Sequence, residues 1–208
     1  LLIVKARPED GEAWNAYVDA HPKATIAHRF EWKHILEKTY GHETDYLMAV
    51  HSEGGTHPRT RDRVRGLVPL VHLKHFLLGN ELVSMPFLDT GGILAHDPAT
   101  EQALWSEALR LARARGVKAL ELRQPQWKGF PDEQGLAVRT DKARMVLSLP
   151  PSSEELNASF KSKLRSQIRK PVKEGLQAFV GGKEFLHEFY HVFSVTMREL
   201  GSPVHATA

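Results

Sequence analysis

Two β-type runs follow one another between Val64 and Leu88, and they limit the fold classes open to this chain. Small and apolar side chains in the first run, Val64 to Phe76, alternate between two faces. Leu67, Pro69 and Val71 form one face, against Val68, Leu70 and His72. The second run, Leu77 to Leu88, follows with Gly79-Asn80 as the predicted turn. This arrangement predicts an antiparallel pair.

Helical patterns precede and follow these runs, which predicts an α+β fold. The helices are expected from Pro8, from Arg29 to Thr39 and from Thr100 to Arg115, the last ending at Gly116. Further strands are expected at Leu1 to Ala6, Tyr46 to His51, Val117 to Arg123 and Ala143 to Leu149. The segment from Ser52 to Arg63 has almost no apolar residue and predicts a hairpin loop. We therefore expect a mixed, largely antiparallel sheet flanked by helices.

Composition excludes several classes of protein. The chain has 208 residues, a net charge of +3 and no cysteine, so disulfides and thiolate chemistry are absent. We expect no signal peptide, and the sequence has no apolar run of about 20 residues that would cross a bilayer. A cytoplasmic location is expected. Because the sequence begins with Leu1 rather than methionine, we expect further residues before it.

A second unit is predicted to begin after Pro150-Pro151, which divides the chain into residues 1–150 and 151–208. Ser152 and Glu155 form a capping box for one long helix that ends at Gly175. A strand is expected at Leu176 to Val180 and a second helix at Lys183 to Leu200. One strand and two helices do not complete a sheet layer, so we expect this second unit to be incomplete.

The predicted long helix carries a stripe of cations. Lys161, Arg165 and Arg169 recur every four residues, beside an apolar stripe at the same spacing. Like charges at this spacing repel one another, which favours an anionic partner such as a phosphate, a pyrophosphate or an RNA backbone. A solvated cationic face without a specific partner is the other interpretation.

Several segments, taken in order, resemble the FemAB-like proteins of the GNAT superfamily, particularly the group associated with exosortase and exopolysaccharide systems. The resemblance rests on Lys163 to Lys170 with Gly175, His28 to Lys38, Gly66 to Leu70, Pro86 to Leu94, and Gly201 to His205. It implies two GNAT-like subdomains, the second of which starts at the basic helix and is cut off in this chain.

The same resemblance implies transfer of an aminoacyl or acyl group to an amine or hydroxyl of a cell-envelope glycan precursor, related to peptidoglycan or exopolysaccharide. The implied partners are a glycan or sugar-nucleotide precursor and charged tRNA, with peripheral membrane contact and no resident cofactor. Lys38, preferred to Lys33, and Asp89 are the residues implied to contact the acceptor. Arg165 and Arg169, with Lys161, are the predicted phosphate contacts. No catalytic residue is identified.

Three other functions remain open. A coenzyme A site needs a glycine-bearing loop from strand to helix. The nearest segment, Arg113 to Lys118, is predicted to run from helix to strand, which disfavours acetyl-coenzyme A as the donor. His187-Glu188-x-x-His191 fits the zinc-hydrolase pattern, but the two histidines share their predicted face with Ser194 and Arg198, and a cation there disfavours zinc. A non-catalytic glycan- or nucleotide-binding module is the third.

Overall fold

The computed structural model describes residues 1–51, 64–75, 79–124, 137–139, 141, 143, 145–202 and 204. The chain divides into two compact units, Leu1–Arg139 and Thr140–Ala208. This division precedes the predicted boundary at Pro150 and Pro151, and the assignment of two GNAT-like subdomains stays a prediction. The predicted hairpin loop from Ser52 to Arg63 lies outside the described residues.

A sheet of six described strands forms the centre of the first unit. The strands are β1 (Leu2–Lys5), β2 (Glu43–Val50), β3 (Val64–His75), β4 (Gly79–Val83), β5 (Leu94–Ala95) and β6 (Ala119–Glu121). Their order is β1-β2-β3-β4-β6, and β5 pairs with β3. Among these strands the β4–β6 pair is parallel and the other pairs are antiparallel. The prediction of a mixed, largely antiparallel sheet is confirmed.

Helices cover both faces of this sheet. They are α1 (Gly11–Ala20), α2 (Glu31–Tyr40) and α3 (Pro98–Ala114), with short 3-10 helices at Pro8–Asp10 and Ile26–His28. Trp14 of α1 and Leu36 of α2 belong to one core cluster, with Tyr46 of β2. Leu104 of α3 belongs to the other, with Leu47 of β2. Neighbouring residues of a strand point to opposite faces, so the alternation seen in the sequence produces two cores.

The predicted turn at Gly79-Asn80 is wrong. Both residues lie in β4, where Gly79 pairs with His75 and Asn80 with Lys74. Asn80 is held in the strand by its side chain, because its Oδ1 lies 2.6 Å from Nε2 of His72 and its Nδ2 donates to the Gly116 carbonyl at 3.0 Å. The preference of Gly79 and Asn80 for a turn is therefore outweighed by the contacts that Asn80 makes with residues elsewhere in the chain.

The second unit contains three helices among its described residues. They are α4 (Ser153–Ser159), α5 (Ser162–Lys173) and α6 (Leu186–Glu199), the last preceded by a 3-10 helix at Lys183–Phe185. The cap at Ser152 is confirmed, since its Oγ accepts from the Glu155 N–H at 3.2 Å. The single long helix is wrong, because Phe160 is extended, with φ −78° and ψ 145°, and separates α4 from α5.

Two predicted strands, one on each side of Pro150-Pro151, are also wrong. The described residues of Ala143 to Leu149 form no strand, and neither does Leu176 to Val180. Their large apolar side chains are exposed, including Met145 and Phe179. A strand requires a neighbouring strand to complete its hydrogen bonds. Although the sequence alternates in these two segments, no described strand pairs with either of them.

The helices are short compared with a bilayer. The longest helix among the described residues, α3, has 17 residues, whereas a span needs about 20 apolar residues. Within the described ranges, no helix is both long enough and apolar enough to cross a membrane.

Candidate functional site

The segment from Ser84 to Ile93 begins where β4 leaves its parallel neighbour β6. The Ser84 N–H donates to the Glu121 carbonyl at 2.9 Å, and the Ser84 hydroxyl oxygen accepts from the Arg123 N–H at 2.8 Å. Ser84 is fully buried. These bonds extend the β4–β6 contact beyond the strands and determine where the Ser84–Ile93 segment starts.

Two residues of the Ser84–Ile93 segment have left-handed backbones. Met85 has φ 54° and Phe87 has φ 70°, and neither is glycine. Such a conformation costs about 1–3 kcal/mol per residue. Met85 is fully buried, so core packing offsets its strain, whereas Phe87 is 48% exposed. Burial therefore explains the strain at Met85 better than the strain at Phe87.

Residues that follow β6 hold both ends of the Ser84–Ile93 segment. Arg123 donates from Nη1 to the Leu88 carbonyl at 2.6 Å and from Nε to Glu121 Oε1 at 2.8 Å. Gln124 accepts from the Ile93 N–H at 2.7 Å and donates to the Ile93 carbonyl at 3.1 Å. The path of the segment thus depends on side chains that come some 30 residues later in the chain.

Close approach requires glycine at two positions of the Ser84–Ile93 segment. A Cβ on Gly92 would lie 1.8 Å from Oε1 of Gln124. A Cβ on Gly91, whose φ is 155°, would lie 2.5 Å from the Cβ of Met85. Any side chain at either position would displace its neighbour.

The Ile26–His28 helix supports the other side of the Ser84–Ile93 segment. The Thr25 and Thr90 hydroxyls lie 3.2 Å apart, and the Thr25 N–H donates to Nδ1 of His28 at 3.1 Å. Burial lowers the pKa of His28 to about 4, although its hydrogen bonds with the Gly92 and Thr25 backbones act in the opposite direction. His28 is therefore neutral at pH 7 and acts as a buried support.

Three aromatic rings meet where α2 ends. The Tyr40 ring lies 5.0 Å from Phe87 and 5.9 Å from His42, and His42 lies 6.3 Å from Phe87, between ring centroids. The interplanar angles are 28°, 12° and 21°, respectively. Gly41, with φ 67°, ends α2 and turns the chain between Tyr40 and His42. We call Tyr40, His42 and Phe87 the ring cluster.

Lys33 faces the interior of the first unit. Its Nζ forms an ion pair with Glu37, contacts the Thr44 hydroxyl oxygen at 2.7 Å and lies 5.9 Å from the centroid of the Tyr46 ring. Burial raises the pKa of Glu37, but hydrogen bonds from Lys33 and Thr44 outweigh it and the net pKa is lowered. An adjacent open cleft of about 390 Å³ is lined by Asn15, Phe30, Glu31, Lys33, His34 and Glu37, among others. The ammonium group of Lys33 is thus already paired with side chains of the protein itself.

The predicted acceptor contacts lie on two segments that touch. Lys38 is exposed in the last turn of α2, and Asp89 is exposed in the Ser84–Ile93 segment. Tyr40 follows Lys38 by two residues, Phe87 precedes Asp89 by two, and their rings stack. Contact with an acceptor stays a prediction for both residues.

The predicted cations lie around α5 in the second unit. Lys161 is the N-cap of α5, and Arg169 is exposed on the helix. Arg165 donates from Nη1 to the Phe160 carbonyl at 2.6 Å and to the Ala158 carbonyl at 3.3 Å. Arg165 therefore stabilises the break between α4 and α5, a role that the regular helical spacing did not indicate. Phosphate contact stays a prediction for these residues.

The histidines of the zinc-type motif lie on α6. His191, Ser194 and Arg198 line an open surface cavity of about 770 Å³. These three residues therefore lie on the same face of α6, as their spacing predicts. Across the described ranges, no group of three or more His, Asp or Glu residues is placed to hold a metal ion. Arg113 to Lys118 runs from α3 into β6, which confirms the predicted helix-to-strand direction.

Sequence reasoning missed the ring cluster and Arg123. The signal available for the ring cluster was local, two ring-bearing residues on either side of a helix-ending glycine, Tyr40-Gly41-His42. Phe87 joins them through tertiary contact, and no periodicity marks it.

No protein-family model matches the sequence, and no curated protein matches it. One similar solved structure is a ribosomal-protein-alanine N-acetyltransferase from Brucella melitensis biovar Abortus 2308, at 14% identity and a TM-score of 0.41, covering 72% of this chain and all of that one. A tetramutant of the BH1408 protein from Bacillus halodurans is similar over the same shares, at 12% identity and a TM-score of 0.41. Likeness of this degree assigns neither a family nor an activity to the chain.

Proposed function

We propose that this protein is an acyltransferase of the FemAB-like, GNAT type, which transfers an aminoacyl or acyl group to an amine or hydroxyl of a cell-envelope glycan precursor. The observation that carries the proposal is the Ser84–Ile93 segment. It combines strained residues, two sterically required glycines and an exposed aromatic ring at the end of β4. Strain of this kind concentrates at functional sites.

The chemistry needs positioning more than strong acids or bases. The acceptor's lone pair attacks the carbonyl carbon of an activated ester, a new C–N or C–O bond forms, and the ester C–O bond breaks. The acceptor loses one proton, and the departing oxygen gains one. Holding the two reactants in line supplies much of the acceleration. The Ser84–Ile93 segment suits this task because Arg123 holds its first residue, Ser84, and Gln124 holds its last residue, Ile93.

Anionic ligands of such an enzyme require cations. In the first unit we assign this role to Lys38, which is exposed, rather than to Lys33, which pairs with Glu37. In the second unit we assign it to Lys161 and Arg169, with Arg165 contributing through its position between α4 and α5. Charged tRNA and a sugar-nucleotide precursor are the ligands proposed for these cations, and the cytoplasm is the proposed location.

The test is a transfer assay followed by mass spectrometry. The whole chain is incubated with a charged tRNA and a nucleotide-linked sugar peptide that carries a free amine, and the expected product is heavier by one amino-acid residue. Lys38→Ala should raise KM for the acceptor about two- to fivefold, as expected for one exposed ionic contact, with thermal stability unchanged. No product with aminoacyl-tRNA or acetyl-coenzyme A would reject the transferase.

A non-catalytic glycan- or nucleotide-binding module is the alternative, and the ring cluster favours it equally because stacking needs no reaction. Tight binding of the sugar peptide without any transfer, under the same conditions, would select this alternative.

A further inference from the structure

We propose that α5, Ser162–Lys173, docks onto an anionic phospholipid bilayer, with its apolar side among the headgroups and its cations against the lipid phosphates. The inference goes beyond the proposed function and does not depend on transfer activity. It accounts for the apolar side of α5, which a phosphate or tRNA contact made by the cations alone would leave unused.

The side chains of α5 are open to solvent. The helix has 12 residues, and all of them are exposed except Arg165, which is half-buried where it bonds to the Phe160 carbonyl. A helix of this length is marginal in water by itself, because most of the stability of a helix comes from packing its apolar side. The described part of the second unit does not supply that packing, so α5 requires an external surface.

One side of α5 is apolar. Leu164, Ile168 and Val172 recur every four residues, which places them within an arc of about 80° around the helix. They are 41%, 47% and 72% exposed, respectively. An RNA backbone or a free phosphate offers no apolar surface to such a stripe, whereas the boundary between lipid headgroups and acyl chains does. The apolar side therefore favours a bilayer over RNA as the occupant.

The rest of the circumference is cationic. Within Ser162–Lys173 there is no Asp or Glu, and the basic residues are Lys163, Arg165, Arg169, Lys170 and Lys173. Lys170 pairs with Glu174 at 3.7 Å, just after the helix, and Arg165 bonds to backbone carbonyls. The other three basic residues form no ion pair with a described residue. Unpaired cations beside an apolar stripe are complementary to a surface that is both negative and apolar, as an anionic bilayer is.

A fluorescent label tests which side of α5 meets the bilayer. The chain has no cysteine, so Ile168→Cys carries one environment-sensitive fluorophore on the apolar side, and Ser166→Cys carries it on the cationic side. Both positions are exposed. The whole chain is mixed with vesicles of phosphatidylcholine and phosphatidylglycerol in equal parts, or of phosphatidylcholine alone. We expect a blue shift for the label of Ile168→Cys with the anionic vesicles only, and little shift for that of Ser166→Cys.

Sedimentation with the same vesicles measures affinity. Ile168→Gln should weaken partitioning onto anionic vesicles roughly tenfold, and Lys173→Gln about fivefold, less at high salt. Val192→Gln is the matched apolar control, since Val192 is 63% exposed on α6. Lys183→Gln is the matched charge control, since Lys183 is exposed before α6. Both controls should bind as the parent does, with Tm unchanged in all four variants.

Several results would overturn the proposal. These are no binding to the anionic vesicles, equal binding to neutral vesicles, and equal losses in Ile168→Gln and Val192→Gln. A label of Ile168→Cys that is already blue-shifted before vesicles are added would also overturn it, because another part of the protein or a second copy would then cover the apolar side.

The transfer assay separates this proposal from the proposed function. Transfer to the soluble sugar peptide by a protein that does not bind vesicles rejects the docking surface alone. Vesicle binding that depends on Ile168, in a protein without transfer activity, supports the docking surface and rejects the transferase.

Discussion

Nη2 of Arg115 lies 2.6 Å from Oδ2 of Asp45, which joins the residue that ends α3 to the middle of β2. Asp45 is buried and also pairs with Lys5 of β1, at 2.6 Å. Arg115 contacts Glu43 at 2.7 Å and Nδ1 of His72 at 3.0 Å. One guanidinium thus connects α3 to two neighbouring strands.

Arg115→Met should lower the free energy of unfolding by about 2–3 kcal/mol, because it leaves the buried Asp45 carboxylate with Lys5 as its remaining ionic partner among the described residues. Urea denaturation measures this. Arg110→Met is the control, since Arg110 is 67% exposed and pairs with Glu107 on the surface of α3, and it should cost far less than Arg115→Met. Equal losses in the two variants would contradict the assignment.

Gly92→Ala should cost about 2 kcal/mol, because the new Cβ must displace Gln124 and break both of its bonds to Ile93. A double-mutant cycle with Gln124→Ala checks the cause. Removing the Gln124 side chain first should make the second substitution cheaper, so the effects should be less than additive. Strictly additive losses would show that the two residues do not compete for space.

His28 should make the protein less stable as pH falls. Its pKa is about 4 when folded, against an ordinary value of about 6.5 when unfolded. Between these values the unfolded chain binds a proton that the folded protein does not bind, so about 2 kcal/mol of stability should be lost from pH 7.5 to pH 5. Above pH 7 no change from His28 is expected.

Urea denaturation at several pH values measures this slope. His28→Asn should be less stable at pH 7.5 but should show a flatter dependence on pH. The exposed His34→Gln on α2 controls for the loss of one imidazole and should keep the parental slope. A slope unchanged by His28→Asn would assign the pH dependence to other groups.

Arg165→Ala and Arg169→Ala should differ, although both are basic residues of α5. Losing the Arg165 bonds to the Phe160 and Ala158 carbonyls should lower the stability of the second unit by about 1 kcal/mol. Arg169→Ala should leave stability unchanged and weaken binding of a pyrophosphate-bearing ligand, with a salt dependence. Calorimetric melting and titration separate the two effects.

The double substitution Arg165→Glu and Arg169→Glu tests whether the basic residues of α5 form an anion-binding site. Unchanged affinity for phosphate ligands in this variant would remove the basis for a phosphate role of α5.

Local sequence patterns predicted the secondary structure of the first unit well, because its strands pair with one another and its helices pack against the sheet. Alternation at Leu67 to Val71 became two opposite core faces, and Gly116, with φ 59°, follows the end of α3 as expected. Patterns of the same kind failed at Leu176 to Val180, where the described residues form no strand. Periodicity shows which face of a segment is apolar, but pairing decides whether a strand forms.

The α+β class, the antiparallel pairing of β3 with β4 and most helix ends were predictable from sequence, because they depend on neighbouring residues and on local capping. The position of the Ser84–Ile93 segment, the left-handed backbone at Phe87 and its contact with Tyr40 were not predictable in this way. Those features depend on Arg123 and Gln124, which are distant in sequence. Contacts between residues so far apart do not require a regular spacing of residue types, so they produce no periodic pattern in the sequence.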